Sequence, residues 1–171
     1  MANIIITRRM KAGNLCVGIL LVDLLCLGVK DCFYRFNLPQ LEYEEFKVDK
    51  LGSHQGGNFI PADYKLVHNI VYEGIAFAED CGIAPHKDFS IVKYFLAEDD
   101  ESIEMMEVPL GDDKDGKPVI FSSPQQPNYK YITILENKLG PNGFKLIFID
   151  KEGEHMDDID EGENEDDKNY N

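Results

Sequence analysis

Basic side chains are scarce in this 171-residue chain: 17 lysines and arginines face 32 aspartates and glutamates, for a net charge of −15. Nonspecific binding to DNA or RNA needs a basic surface that displaces counterions, so that class of function is excluded. Cysteine is nearly as sparse. Cys16, Cys26, Cys32 and Cys81 show no C-x-x-C spacing and fall well below the density of a secreted disulfide scaffold. Three of them lie in or beside an apolar stretch, where buried thiols are expected. No Walker loop, G-x-G-x-x-G, G-x-S-x-G or H-E-x-x-H is present, which argues against a nucleotide-binding enzyme of a standard kind. No internal repeat is visible.

Also missing is an apolar run long enough to span a bilayer. The longest, Cys16 to Val29, has fourteen residues, against roughly 20 for a membrane helix. Asp23 stands within it, at a cost of about 2.5 kcal/mol or more in lipid. Arg8, Arg9 and Lys11 precede the run and raise the question of an export signal. Asp23, the strand-like Ile4-Ile5-Ile6 and the lack of an A-x-A cleavage pattern argue against one. No membrane association and a cytoplasmic location are the expectations.

The apolar stretch is what the chain has most distinctly. Its segment Gly18 to Lys30, GILLVDLLCLGVK, reads as a strand buried on both faces, around which the rest folds. Asn3 to Arg9 is β-branched and joins it through a turn at Met10–Asn14, with Gly13 or Asn14 at positive φ. Lys30 to Phe36 alternates aromatic and polar residues, as a strand does. Pro39 opens a helix to about Leu51, and residues 52–57 form a flexible loop.

The strongest helical pattern runs from Pro61 to Cys81, closed by Gly82 in a left-handed cap with Ile83 behind it. Gly74, Ala76 and Ala78 would let that helix lie close against a sheet. Phe89 to Leu96 fits helix or strand. Ile103–Leu110 and Pro118–Ser122 are predicted to form a hairpin around Gly111–Gly116. Asn128 to Leu139 is predicted as a helix and Phe144 to Ile149 as a final strand. The fold class is therefore α+β. A mixed or antiparallel sheet of about five to six strands packs against one long and two shorter helices.

Charge divides the chain. Residues 151–171 hold ten acidic residues and two lysines and so carry −8 of the total. With almost nothing to bury, they are predicted to be a disordered acidic tail behind a single globular domain over residues 1–150. The tail serves solubility first, and it could also bind a basic partner or mimic nucleic-acid phosphates.

Several short motifs stand out: Leu27-Gly28-Val29-Lys30-Asp31 with Phe33-Tyr34, His68-Asn69 with Tyr72, and Phe77-Ala78-Glu79. Pro85-His86-Lys87-Asp88-Phe89 and Asp115-Gly116-Lys117-Pro118 complete the set. Together they resemble a family of uncharacterised bacterial proteins, over roughly residues 3 to 149. The resemblance implies a small bacterial intracellular domain and brings no activity, substrate or catalytic residue with it.

For chemistry, His86 and Asp88 on one loop could hold a metal or act as base and orienter, joined by Asp31 and Asp23. Carboxylates at strand ends with a histidine are what a metal-dependent phosphodiester hydrolase needs. The structural alternative has Asp23 capping a turn or facing outward from a half-buried strand, His86 bonding a backbone carbonyl near Gly82, and Lys30 with Asp31 as a solvated pair. Lys30, Lys87, His68 and Tyr72 are the candidate binding residues, although a helical His between tyrosines is more often packed than ligating. Gly111–Gly116 fails as a calcium loop, with Gly111 where an aspartate is required and Ser122 where the closing glutamate belongs.

Two functional classes follow. The favoured one is a noncatalytic interaction or accessory module without a cofactor. Its protein partner, basic in character, would engage the acidic tail or an exposed apolar patch. The other is the hydrolase built from Asp23, Asp31, His86 and Asp88, with a divalent metal as its cofactor.

Overall fold

Three strands carry the centre of the molecule: β1 (Ala2–Arg9), β2 (Leu15–Asp23) and β3 (Gly28–Leu38), paired antiparallel in the order β1-β2-β3. The computed structural model describes residues 1–52, 59–100, 102–125 and 127–149, without the side chains of 48–52. The expected loop at 52–57, save its first residue, and the expected disordered tail lie outside the described residues.

β2 is the middle strand and is covered on both faces, as its unbroken apolar run requires. Leu20 and Val22 join Ile4, Ile6, Cys16 and Cys32 in a cluster that meets Val71 and Ile75 of α2 (Tyr64–Asp80). Phe89 and Val92 of the short helix α3 (Phe89–Val92) and Phe95 of the 3₁₀ turn after it complete that side. On the other face Leu15, Val17 and Leu38 pack on Phe46 of α1 (Gln40–Gly52). The apolar run is not one strand, however. It breaks at Asp23 into a tight turn, Leu24–Leu27, and resumes as β3.

The remaining chain forms a smaller unit. β4 (Val119–Ser122), α4 (Tyr129–Leu139) and β5 (Lys145–Phe148) make a parallel pair joined through a helix, the crossover that parallel strands need. Backbone bonds from Gly111 N to Leu24 O and from Val119 N to Leu25 O, each 2.9 Å, attach this unit to the β2–β3 turn. The fold is α+β as expected. Its strands are divided between a three-stranded and a two-stranded sheet, so each sheet is smaller than the single one anticipated.

Three local expectations are corrected. α2 begins at Tyr64 rather than at Pro61, because Asp63 supplies the cap, its carboxylate accepting the Lys65 N–H at 2.7 Å. Ile103–Leu110 is not a strand and the hairpin does not form. Asn69 on α2 takes the backbone of that segment instead, donating to Glu104 O (3.1 Å) and accepting from Met106 N (3.0 Å). Ala76 faces outward, and the close approach to the sheet falls to Gly74 and Ala78. A Cβ on Gly28 (φ +61°) would stand 2.7 Å from Gly74 O and 2.8 Å from the Ala78 Cβ.

Gly82 does close α2 in the left-handed region (φ +82°), with Ile83 N donating to Ala78 O at 2.8 Å. Gly13 takes the positive φ of the β1–β2 turn. No helix among the described residues is long and apolar enough to cross a membrane.

Candidate functional site

The four residues expected to form a hydrolytic site fall in two places. Asp23 ends β2 with its side chain nearly buried (7% exposed), and its Oδ1 accepts the N–H groups of Leu25 (2.9 Å) and Cys26 (3.1 Å). It caps the turn that interrupts the apolar run, which satisfies a carboxylate that would otherwise be costly to bury.

Asp31 and His86 approach each other beside β3, with Asp88 two residues on along the His86 loop. The loop carrying His86 is tied to that strand by His86 N donating to Val29 O (2.9 Å). The ring Nε2 then lies 4.0 Å from Asp31 Oδ1, and Nδ1 accepts the Asp88 N–H at 3.4 Å. The ring's bond is thus to an amide two residues on, not to a carbonyl near Gly82.

Asp31 is largely exposed and accepts its neighbour's amide, Cys32 N, at 2.8 Å. Cys32 reports the local field: burial first, then the charges of Asp88 and Asp31, push its thiol up to about 12. It therefore stays protonated. Lys30 and Lys87 are exposed. Among the described residues, no three His, Cys, Asp or Glu side chains are grouped to hold a metal ion.

A cleft of about 400 Å³ opens over α2, lined by His68, Asn69, Tyr72 and Glu73 from the helix. Asp99, Asp100, Ile103, Glu104 and Met105 close it from the segment that follows the 3₁₀ turn. Helical spacing sets the first group on one face, since residues 68, 69, 72 and 73 fall at i, i+1, i+4 and i+5. Asn69, only 5% exposed, donates to Lys65 O (2.8 Å) as well as to Glu104 O, and so clips the two sides together.

The aromatic floor is fixed in the same way. Tyr64, His68 and Tyr72 follow one another along the helix with centroid spacings of 6.2 and 4.6 Å. His68 is 3% exposed and lies 3.3 Å through Nε2 from the Glu98 carbonyl. A carbonyl can only accept, so that nitrogen carries the proton and a neutral ring keeps Nδ1 as an acceptor. Tyr72 donates to Ala97 O at 3.3 Å.

Comparison with protein-family models, with curated proteins and with solved structures found no match. The reading of this cleft rests on its own residues.

Its electrostatics are one-sided. Glu73, Asp99, Asp100 and Glu104 surround the opening. Glu104 is paired with Lys65 at 2.7 Å, and that bond holds its carboxyl below the ordinary glutamate value while raising Lys65. Asp100 is lowered by hydrogen bonds from Ser102, with a smaller contribution from His68. Burial first and then Asp99, Tyr64 and Glu98 push the Tyr72 hydroxyl up, which keeps it neutral. Met105 stands beside these charges with 77% of its surface exposed.

A cationic group would meet carboxylates at the rim and aromatic faces below, with a thioether to cover its aliphatic stem. His68 and Tyr72 were legible in the sequence as helical neighbours. The acidic residues opposite them were not assigned to a site. The signal was the run Glu98-Asp99-Asp100, together with the polar pair His68-Asn69 within the helix.

Proposed function

We propose that this protein is a noncatalytic interaction module that takes a basic segment of a protein partner into the cleft over α2. The observation that carries this reading is the cleft itself. Four carboxylates ring its mouth, and His68 and Tyr72 form a floor held by Asn69, Glu98 and Ala97. A net charge of −15 favours encounter with such a partner over long range. A bacterial origin, the resemblance on which it rests, and a cytoplasmic location stand with this reading as proposals of the same kind.

The test is to titrate a lysine- and arginine-containing peptide into isotopically labelled protein and follow the amide resonances. Shifts concentrated at residues 68–73 and 99–105 support the cleft. Shifts confined to residues 151–171 would move the partner to the tail and overturn the assignment.

The phosphodiester hydrolase remains the second reading, favoured by the approach of His86 to Asp31. It draws less support, because the Asp23 carboxylate is engaged with two backbone amides in the β2–β3 turn. Manganese, zinc or magnesium raising the thermal midpoint, with loss of the effect in His86→Ala, would favour it.

A further inference from the structure

The third apolar cluster holds two cysteines that neither reading uses. Cys26 lies in the Leu24–Leu27 turn and Cys81 is the C-terminal cap of α2. Both are buried, at 0% and 2% exposure, among Leu27, Ala78, Ile83, Ile120 and Leu135. The two elements cross as closely as a glycine allows, since Gly28 presses on Gly74 O and Ala78. Cys26 precedes that crossing by two residues and Cys81 follows Ala78 by three, and both side chains belong to the one buried cluster around Ala78.

We propose that Cys26 and Cys81 are a dithiol that hydroperoxides oxidise to a disulfide, stapling the β2–β3 turn to the end of α2. The pair is polarised for the reaction. The side-chain contact between the two sulfurs pushes the Cys26 thiol up, with burial adding to it, and holds the Cys81 thiol below its ordinary value. Cys81 is therefore the attacking sulfur.

Its thiolate displaces water or an alcohol from the hydroperoxide, and Cys81 becomes a sulfenic acid. The Cys26 sulfur then attacks the Cys81 sulfur, the S–O bond breaks, and hydroxide leaves with the Cys26 proton as water. Two electrons pass from the sulfurs to the peroxide bond.

The other cysteines do not compete for this role. Cys32 sits opposite Leu20 on β2, four residues from Cys16, so those two are separated by roughly 13 Å along the sheet. A disulfide cannot reach across that distance. Because Cys26 and Cys81 lie beneath α4, the rate follows local opening of that cover, to which α4 contributes one fully buried side chain, Leu135.

The experiment treats the full chain with hydrogen peroxide, denatures it, counts thiols and maps peptides without reduction. The expected result is a fall from four thiols to two, one linked peptide joining Cys26 to Cys81, and a higher thermal midpoint that dithiothreitol reverses. Cys26→Ser should leave Cys81 as sulfenic or sulfinic acid. Should that variant not fold, Cys16→Ala/Cys32→Ala serves instead and must still lose both remaining thiols. Four thiols surviving treatment, or a linked peptide that contains Cys16 or Cys32, would overturn the proposal.

Discussion

Single residues decide where this chain turns and what it can bury. Asp23 looks like a catalytic candidate because it is the one charge in an apolar run. Its geometry makes it a turn cap, and its burial rules out the outward-facing position that the sequence also allowed. Asp23→Ala removes the acceptor of two amides, one of them buried, and is expected to cost about 1–3 kcal/mol. Asp23→Asn keeps an acceptor oxygen and should cost much less. Urea denaturation of the two variants checks this, and equal midpoints for Asp23→Ala and the parent would refute the capping role.

Gly28 is as constrained. A methyl there meets Gly74 O and the Ala78 Cβ in a left-handed backbone, so Gly28→Ala should destabilise by more than about 2 kcal/mol. The same measurement tests it.

Elements were legible where periodicity or a terminal residue marked them, and illegible where tertiary contacts took the backbone. β1, β2, α1, α2 and α4 follow from β-branched or helical patterning, and Gly82 from its cap chemistry. The hairpin expected around Gly111–Gly116 was misread. Nothing in Ile103–Leu110 announces that Asn69 claims its backbone, nor that β4 pairs in parallel with a strand beyond α4.

The loop itself is held by Lys145, whose Nζ meets Asp112 Oδ1 at 2.8 Å and Asp115 Oδ1 at 3.1 Å. The Lys145 bond lowers the Asp112 carboxyl. Asp115 is raised by burial but lowered overall by bonds from Lys145 and from the Lys117 amide. Depressed carboxyls add stability above their unfolded values and lose it as pH falls through the folded ones. Lys145→Met should therefore be less stable than the parent at neutral pH, with the gap closing in acid. It should close again in alkali as Lys145, raised by Asp112, gives up its proton. Thermal midpoints across pH for both proteins would show this, and a gap independent of pH would contradict it.

At the scale of the whole molecule, a net charge of −15 argues against nonspecific nucleic-acid binding and is suited to a basic partner, without saying where such a partner would dock. The cleft gives that charge a place, built by helical spacing on one side and by the Asn69 clip on the other. Asn69→Ala removes that clip, so it should weaken peptide binding as well as stability, which separates it from substitutions that only unsettle the core.

The central claim is that the cleft over α2 captures a basic segment. It is tested most directly by the fluorescence anisotropy of a labelled lysine- and arginine-containing peptide, titrated across a salt series with the parent and with Asp99→Asn/Asp100→Asn. Exposed ion pairs are screened by salt, so the account predicts binding that weakens as salt rises and is weaker by a few-fold in the variant, with its acidic tail intact. Unchanged affinity in the variant, or equal binding of a neutral peptide, would contradict it.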